Sequence, residues 1–210
     1  MSAPTTVDAF LDGRLMIRQP AKGYRAGTDP LLLAAAVPAR PGERVLELGC
    51  GVGVAALCLM ARVSGLAVTG VELQPDYADL ARANAKANGL ALEVVTADLA
   101  RLPPDLRQQG FDHVLANPPF FDPARSLAAR DPGRATAFAG DTPLSAWIDA
   151  ALRRLKPGGR LTVIQRAERL PELLAACDPR IGTLSVLPLA GREGRVAERI
   201  ILHGRKGGRG

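Results

Sequence analysis

Short apolar runs and stretches of helical period alternate along most of this chain. Runs at Arg44 to Leu48, Leu66 to Glu72, Leu92 to Thr96, Phe111 to Ala116 and Gly159 to Gln165 predict buried strands. Between them, Val54 to Val63, Pro75 to Asn88, Pro143 to Lys156 and Ala167 to Ala176 carry the 3.6-residue pattern of helices. Asn88-Gly89 and Pro157-Gly158 read as helix stops, and Asp141-Thr142-Pro143 as a start. Trp147, Ala151 and Leu155 recur at helical spacing and belong to the core. Two further strands, Thr183 to Leu189 and Arg195 to Leu202, face each other across Gly191-Arg192-Glu193-Gly194, which makes their pairing antiparallel. Ahead of all this, Asp12-Gly13 signals a hairpin. Thr28-Asp29-Pro30 then opens a helix, with Thr28 as its capping side chain, and Pro38 and Pro41-Gly42 close it. The expected fold is α/β: a mostly parallel seven-stranded sheet with an antiparallel C-terminal hairpin strand and helices on both faces. Residues 1–210 read as one domain, with a hairpin-and-helix extension at 1–43, a core at 44–203 and a flexible basic tail at 204–210.

Charge narrows the class of partner. Lys and Arg number 27 against 21 Asp and Glu, a net charge of +6, which suggests a polyanion. RNA fits better than a membrane, because no apolar run reaches the roughly 18 residues a spanning helix needs. The first residues lack a secretory pattern. Cys50, Cys58 and Cys177 sit in apolar surroundings with no C-x-x-C pair, as reduced thiols of a cytoplasmic protein would. With only His113 and His203 beside them, no metal site is expected, and both histidines read as ordinary strand residues. The oligomeric state is not legible, and a monomer is the default.

Val45-Leu46-Glu47-Leu48-Gly49-Cys50-Gly51-Val52-Gly53 is a buried strand entering a glycine loop and a helix. Gly49, Gly51 and Gly53 permit positive φ and let a ligand approach backbone N–H groups. The loop alone also matches the dinucleotide pattern G-x-G-x-x-A. Glu72 falls about twenty residues further on, at a strand end, where a carboxylate can accept both hydroxyls of a ribose. Asp98 ends the next strand, either holding an adenine amino group or capping the following turn.

Asn117-Pro118-Pro119-Phe120 answers a specific chemical problem. An adenine amine or a side-chain amide has a delocalised lone pair and is a poor nucleophile. Acceptors on both its N–H bonds, here the Asn117 side-chain oxygen and the Pro118 carbonyl, draw the pair back onto nitrogen. The prolines stiffen the turn and Phe120 offers a face for stacking.

Glu47-x-Gly49-x-Gly51-x-Gly53, Glu72, Asp98 and Asn117-Pro118-Pro119-Phe120, in this order, resemble the class I S-adenosylmethionine-dependent methyltransferases that act on amino groups. The segment from Lys22 to Ala34 resembles more narrowly the bacterial valine-tRNA adenine N6-methyltransferase family. The resemblance implies a Rossmann-like core, S-adenosylmethionine as cofactor, and a tRNA adenine next to the anticodon as target. It implies that Glu47 and the three glycines hold the methionine end of the cofactor, Glu72 its ribose and Asp98 its adenine, with Thr28 and Asp29 bordering the methionine carboxylate or the transfer site. Asn117, Pro118 and Phe120 would be catalytic, and Pro119, Phe121 and Arg130 would meet the substrate. Phe120 carries no phenolic hydroxyl, which excludes any role for one. RNA could also be met by Arg125 and Arg134, by Arg192 and Arg195, and by the tail residues Arg205, Lys206 and Arg209. A protein glutamine amide and an rRNA guanine N2 remain as other targets, and a nucleotide-binding Rossmann-like module as the non-enzymatic alternative.

Overall fold

The computed structural model describes residues 4–119 and 142–208. Strands β1 (Thr5–Phe10) and β2 (Leu15–Pro20) form a separate antiparallel hairpin, followed by α1 (Asp29–Ala36). The core then runs β3 (Arg44–Leu48), α2 (Val54–Arg62), β4 (Ala67–Glu72), α3 (Pro75–Ala87), β5 (Glu93–Thr96), α4 (Pro104–Arg107) and β6 (Phe111–Ala116). After the next described residues come α5 (Leu144–Arg154), β7 (Leu155–Arg166), α6 (Leu170–Ala176), β8 (Ile181–Leu189) and β9 (Arg199–Lys206).

A 7-stranded sheet orders these as β5-β4-β3-β6-β7-β9-β8. The pairs from β5 through β7 are parallel, while β9 runs antiparallel to both β7 and β8. The sheet is expected to be covered on both sides, and its central strands are, whereas the edge strand β8 is mostly exposed. One face packs Leu46, Leu48, Val114, Leu161 and Val163 against α5 and α6; the other packs Val45, Leu115, Ile164 and Ile201 against α1, α2 and β2. Asparagines one turn apart, Asn84 in α3 and Asn88 at its C-cap, dock the hairpin: each exchanges hydrogen bonds with the backbone of β2, at Arg18 and Met16. Such side-chain amides replace the strand partner that β2 lacks on that edge.

Three expectations change. The last hairpin begins and ends elsewhere: β8 starts at Ile181, β9 starts only at Arg199, and Arg195 lies in the connection with its N–H on the Arg192 carbonyl. Strand β9 continues to Lys206, so the basic ending is not a free tail from Gly204. Gly204 is buried where a Cβ would strike Ile181, and the Lys206 ammonium donates to the Leu152 and Leu155 carbonyls at the end of α5. Those carbonyls have no helical partner, and a cation suits that pole of the helix. Finally, Thr28 stands at the start of α1 but its hydroxyl caps nothing; its carbonyl accepts from Leu31 and Leu32.

Candidate active site

Strand register brings the proposed cofactor loop and the proposed target corner together. Leu48 pairs with Ala116 across β3 and β6, so Gly49 and Asn117 leave adjacent strands at the same level. Parallel neighbours stand about 4.8 Å apart. On the other side Leu48 pairs with Val71, and Glu72 pairs with Thr96, which puts Glu72 and Asp98 along the same edge of the sheet.

All three loop glycines have left-handed φ, +67°, +55° and +89° at Gly49, Gly51 and Gly53. Their surroundings differ. A Cβ on Gly49 would lie 2.6 Å from the Trp147 ring of α5, whereas one on Gly51 would meet nothing within 4 Å. Gly49 is thus a packing requirement, and Gly51 faces open space suited to a ligand. Asn84 also accepts a place here, donating to the Val52 carbonyl.

The acids at the strand ends are already engaged. Glu47, 3% exposed, accepts from the Ala56 N–H at 2.9 Å and so satisfies one of the free donors in the first turn of α2. Burial pushes its carboxyl up to about 8, with the nearby Glu72 charge adding to the effect and the Ala56 bond opposing it. Glu72 accepts from the Gly51 N–H at 2.8 Å with one oxygen and from the Gln74 N–H at 2.9 Å with the other. Burial raises its carboxyl as well. Asp98 accepts from the Ala100 N–H at 2.9 Å, which is the capping role; its second oxygen has no partner among the described residues. Asp29 pairs with Arg199 of β9, Nε to Oδ2 at 3.0 Å. The segment carrying Tyr24 lies over the start of α3, where the Tyr77 hydroxyl donates to the Tyr24 carbonyl at 3.3 Å.

At the corner, the Asn117 side chain is half-buried and makes no hydrogen bond to a described residue. Pro118 is buried and Pro119 exposed. Phe120, Phe121, Arg125, Arg130 and Arg134 lie outside the described residues. Two side chains that the motifs do not signal hold the corner from behind. Gln165 of β7, fully buried, donates to the Pro118 carbonyl at 3.4 Å and accepts from the Arg166 N–H. Arg169 donates to the Pro119 carbonyl at 3.3 Å and is itself fixed by a two-pronged pair with Glu172. A carbonyl has two lone pairs, so the Gln165 bond leaves one for a substrate N–H. The Asn117-Pro118-Pro119 corner, two buried acids and open glycine backbone at one edge make a candidate site for a ligand with hydroxyls beside an amine acceptor.

Residues 25–178 match the family model for the methyltransferase small domain. The chain belongs to this family. Within the methyltransferase small domain family it is 37% identical to the tRNA1(Val) (adenine(37)-N6)-methyltransferase of Porphyromonas gingivalis, over 79% of this chain and 68% of the relative. It is 30% identical to the enzyme of the same name from Dickeya chrysanthemi, over 88% of this chain and 74% of that one. Among solved structures it is similar to a predicted O-methyltransferase from Agrobacterium tumefaciens, with a TM-score of 0.70, 28% identity, and coverage of 86% of this chain and 82% of that chain. The fold is that of the Rossmann-like methyltransferases, and the family's methyl donor is S-adenosylmethionine. No helix among the described residues is long and apolar enough to cross a membrane, and no group of three metal-ligating side chains occurs among them.

His113 and His203 stand apart from this edge. The His113 ring meets Glu43 at 2.9 Å near the start of β6, and His203 meets Thr162 at 3.3 Å within the sheet. All three cysteines are free, with Cys50 and Cys58 buried and Cys177 half-buried.

Proposed function

We propose that this protein methylates the exocyclic N6 amine of an adenine in RNA, a cytoplasmic tRNA beside its anticodon, using S-adenosylmethionine. One observation carries the reading: Leu48 and Ala116 are register partners, so a glycine loop and an amine-accepting Asn-Pro-Pro corner open from neighbouring strand ends. The names of the relatives from Porphyromonas and Dickeya support the choice of adenine in tRNA.

When bound, S-adenosylmethionine supplies an electrophilic methyl on a sulfonium that is already a good leaving group. The chain's task is then positioning. Gly49, Gly51 and Gly53 present backbone to the methionine end with Glu47 beneath them, Glu72 receives ribose hydroxyls on its remaining lone pairs, and Asp98 turns its free oxygen to the adenine. Thr28 and Asp29 border the transfer point from α1. The Asn117 side-chain oxygen and the Pro118 carbonyl accept the two N–H bonds of the target amine and localise its lone pair toward the methyl. Pro119, Phe120, Phe121 and Arg130 contact the displaced base and its surroundings. The proton departs after transfer, so no strong base is required.

Incubating the protein with labelled S-adenosylmethionine and total RNA and protein from cells lacking it, then mapping the labelled site, tests the reading. Label on N6 of a tRNA adenine is the expected result. Label on a protein glutamine or on guanine, with none on adenine, would overturn it.

A further inference from the structure

We propose that a cavity on the β7-β9-β8 face binds a backbone phosphate of the RNA substrate; the proposal rests on the RNA reading above and extends it to a second contact. The cavity has a volume of about 230 Å³ and is lined by Arg160, Arg205, His203, Ser185 and Thr183, with Leu184 and Gly204 between them. Neither acid nor large aromatic side chain lines it.

The register supplies the physical reason. Arg160 and Arg205 are directly opposed across antiparallel β7 and β9. Like charges facing each other on a sheet are destabilising, and an anion between them removes the repulsion. Among the described residues neither guanidinium has a carboxylate partner: Arg205 donates to the Gly158 carbonyl at 3.2 Å, and both arginines are exposed. By contrast Arg25, Arg82, Arg153, Arg169, Arg180 and Arg199 are each paired with an acid. Ser185 sits opposite His203 on the same face, adding a hydroxyl and a ring N–H. Burial, then the Arg160 charge, holds His203 below its usual value, so at neutral pH the ring is a neutral donor and the two arginines carry the charge. Hydroxyls, one imidazole and two planar cations are the donor set for phosphate oxygens.

The cavity also lies at a useful distance. Arg160 pairs with His113 while Ala116 at the end of β6 pairs with Val163, three positions further on. Strand rise and strand spacing put the cavity about 15 to 20 Å from the Asn117 corner, the reach of a few nucleotides along an RNA.

The test compares wild type with an Arg160→Gln/Arg205→Gln double variant, reading fluorescent tRNA transcript binding across salt, methylation kinetics, and thermal melting. The expected result is RNA binding weakened about tenfold, a log–log salt slope shallower by roughly one, kcat and the KM for S-adenosylmethionine within twofold, and a melting temperature no lower than wild type. Unaltered RNA affinity and salt slope would overturn the cavity alone, provided wild type still methylates RNA. Loss of binding in the double variant while wild type methylates no RNA would sink the proposed reaction and support the cavity. Stabilisation of wild type, but not the variant, by micromolar inorganic phosphate would make free phosphate the occupant and overturn the RNA assignment.

Discussion

Replacing Glu47 with Gln should change how stability depends on pH, because this carboxyl is held near 8 inside the fold against an ordinary value of 4.5. The sign follows from linkage. Between about pH 4.5 and 8 the folded protein keeps a proton on Glu47 that the unfolded chain has released, so ligand-free stability falls as pH rises through that window. At 1.36 kcal/mol per pH unit, moving from pH 6 to 8.5 removes about 2 to 3 kcal/mol. Glutamine imitates the protonated acid and can still accept from the Ala56 N–H. The two proteins should therefore match only below about pH 4.5; the variant should lead by about 2 kcal/mol at pH 6, and that lead should grow by about a further 2 to 3 kcal/mol by pH 8.5. Taking the difference between the two cancels other titrations, including His203, whose lowered value adds stability as pH rises through the usual histidine range. Cys50 and Cys58, both raised, act only above this window. Urea unfolding of each protein at half-unit steps from pH 6 to 8.5 measures it. A constant difference, or a variant that loses stability at pH 8.5, would refute the claim that burial of this acid is what moves it. On the proposed cofactor assignment the same variant should lose affinity for S-adenosylmethionine most at high pH, where the wild-type carboxylate is charged.

Three other perturbations follow. Asn117→Ala should leave cofactor affinity within a few-fold while turnover at saturating RNA falls roughly tenfold to several hundredfold, the worth of about 1 to 3 kcal/mol; unchanged turnover removes Asn117 from the amine clamp. Gln165→Leu should lower kcat about tenfold per folded molecule with S-adenosylmethionine affinity intact, since it frees the corner but not the glycine loop. A lower melting temperature with normal kcat would make Gln165 merely structural. Lys206→Ala should cost about 1 to 3 kcal/mol in urea unfolding by leaving the Leu152 and Leu155 carbonyls without their cation, and unaltered stability would show that water serves α5 as well.

Local signals were legible where burial and backbone chemistry agree. Arg44–Leu48 and Phe111–Ala116 match their observed strands end to end, since apolar runs flanked by turn residues are what doubly covered parallel strands look like. Motif spacing also brought Gly49, Glu72, Asp98 and Asn117 to one edge, because each ends or closely follows a strand. Long-range partners were not legible. Gln165 reaches Pro118 across 47 positions, Glu43 reaches His113 across 70, and Arg199 reaches Asp29 across 170. Nothing in a local window announces such pairs. The short helix α4, with Pro104 in its first turn where proline is at home, was not predicted, because four residues are too few to show a helical period. The start of β9 was misjudged because Arg195 to Glu198 alternate acceptably for a strand, yet Arg195 turns back onto the Arg192 carbonyl and only Glu198 reaches neighbouring backbone, at Leu189 and Ala167.

The indole of Trp147 leaning on Gly49 ties together two halves of the chain that folding could have kept independent. On the proposed assignment, the donor's cradle is shaped from behind by a helix that enters only after the acceptor's corner has been laid down. Tilting α5 therefore re-aims the cradle, and a substitution on the hidden side of that helix would read out as altered donor affinity without touching a donor contact.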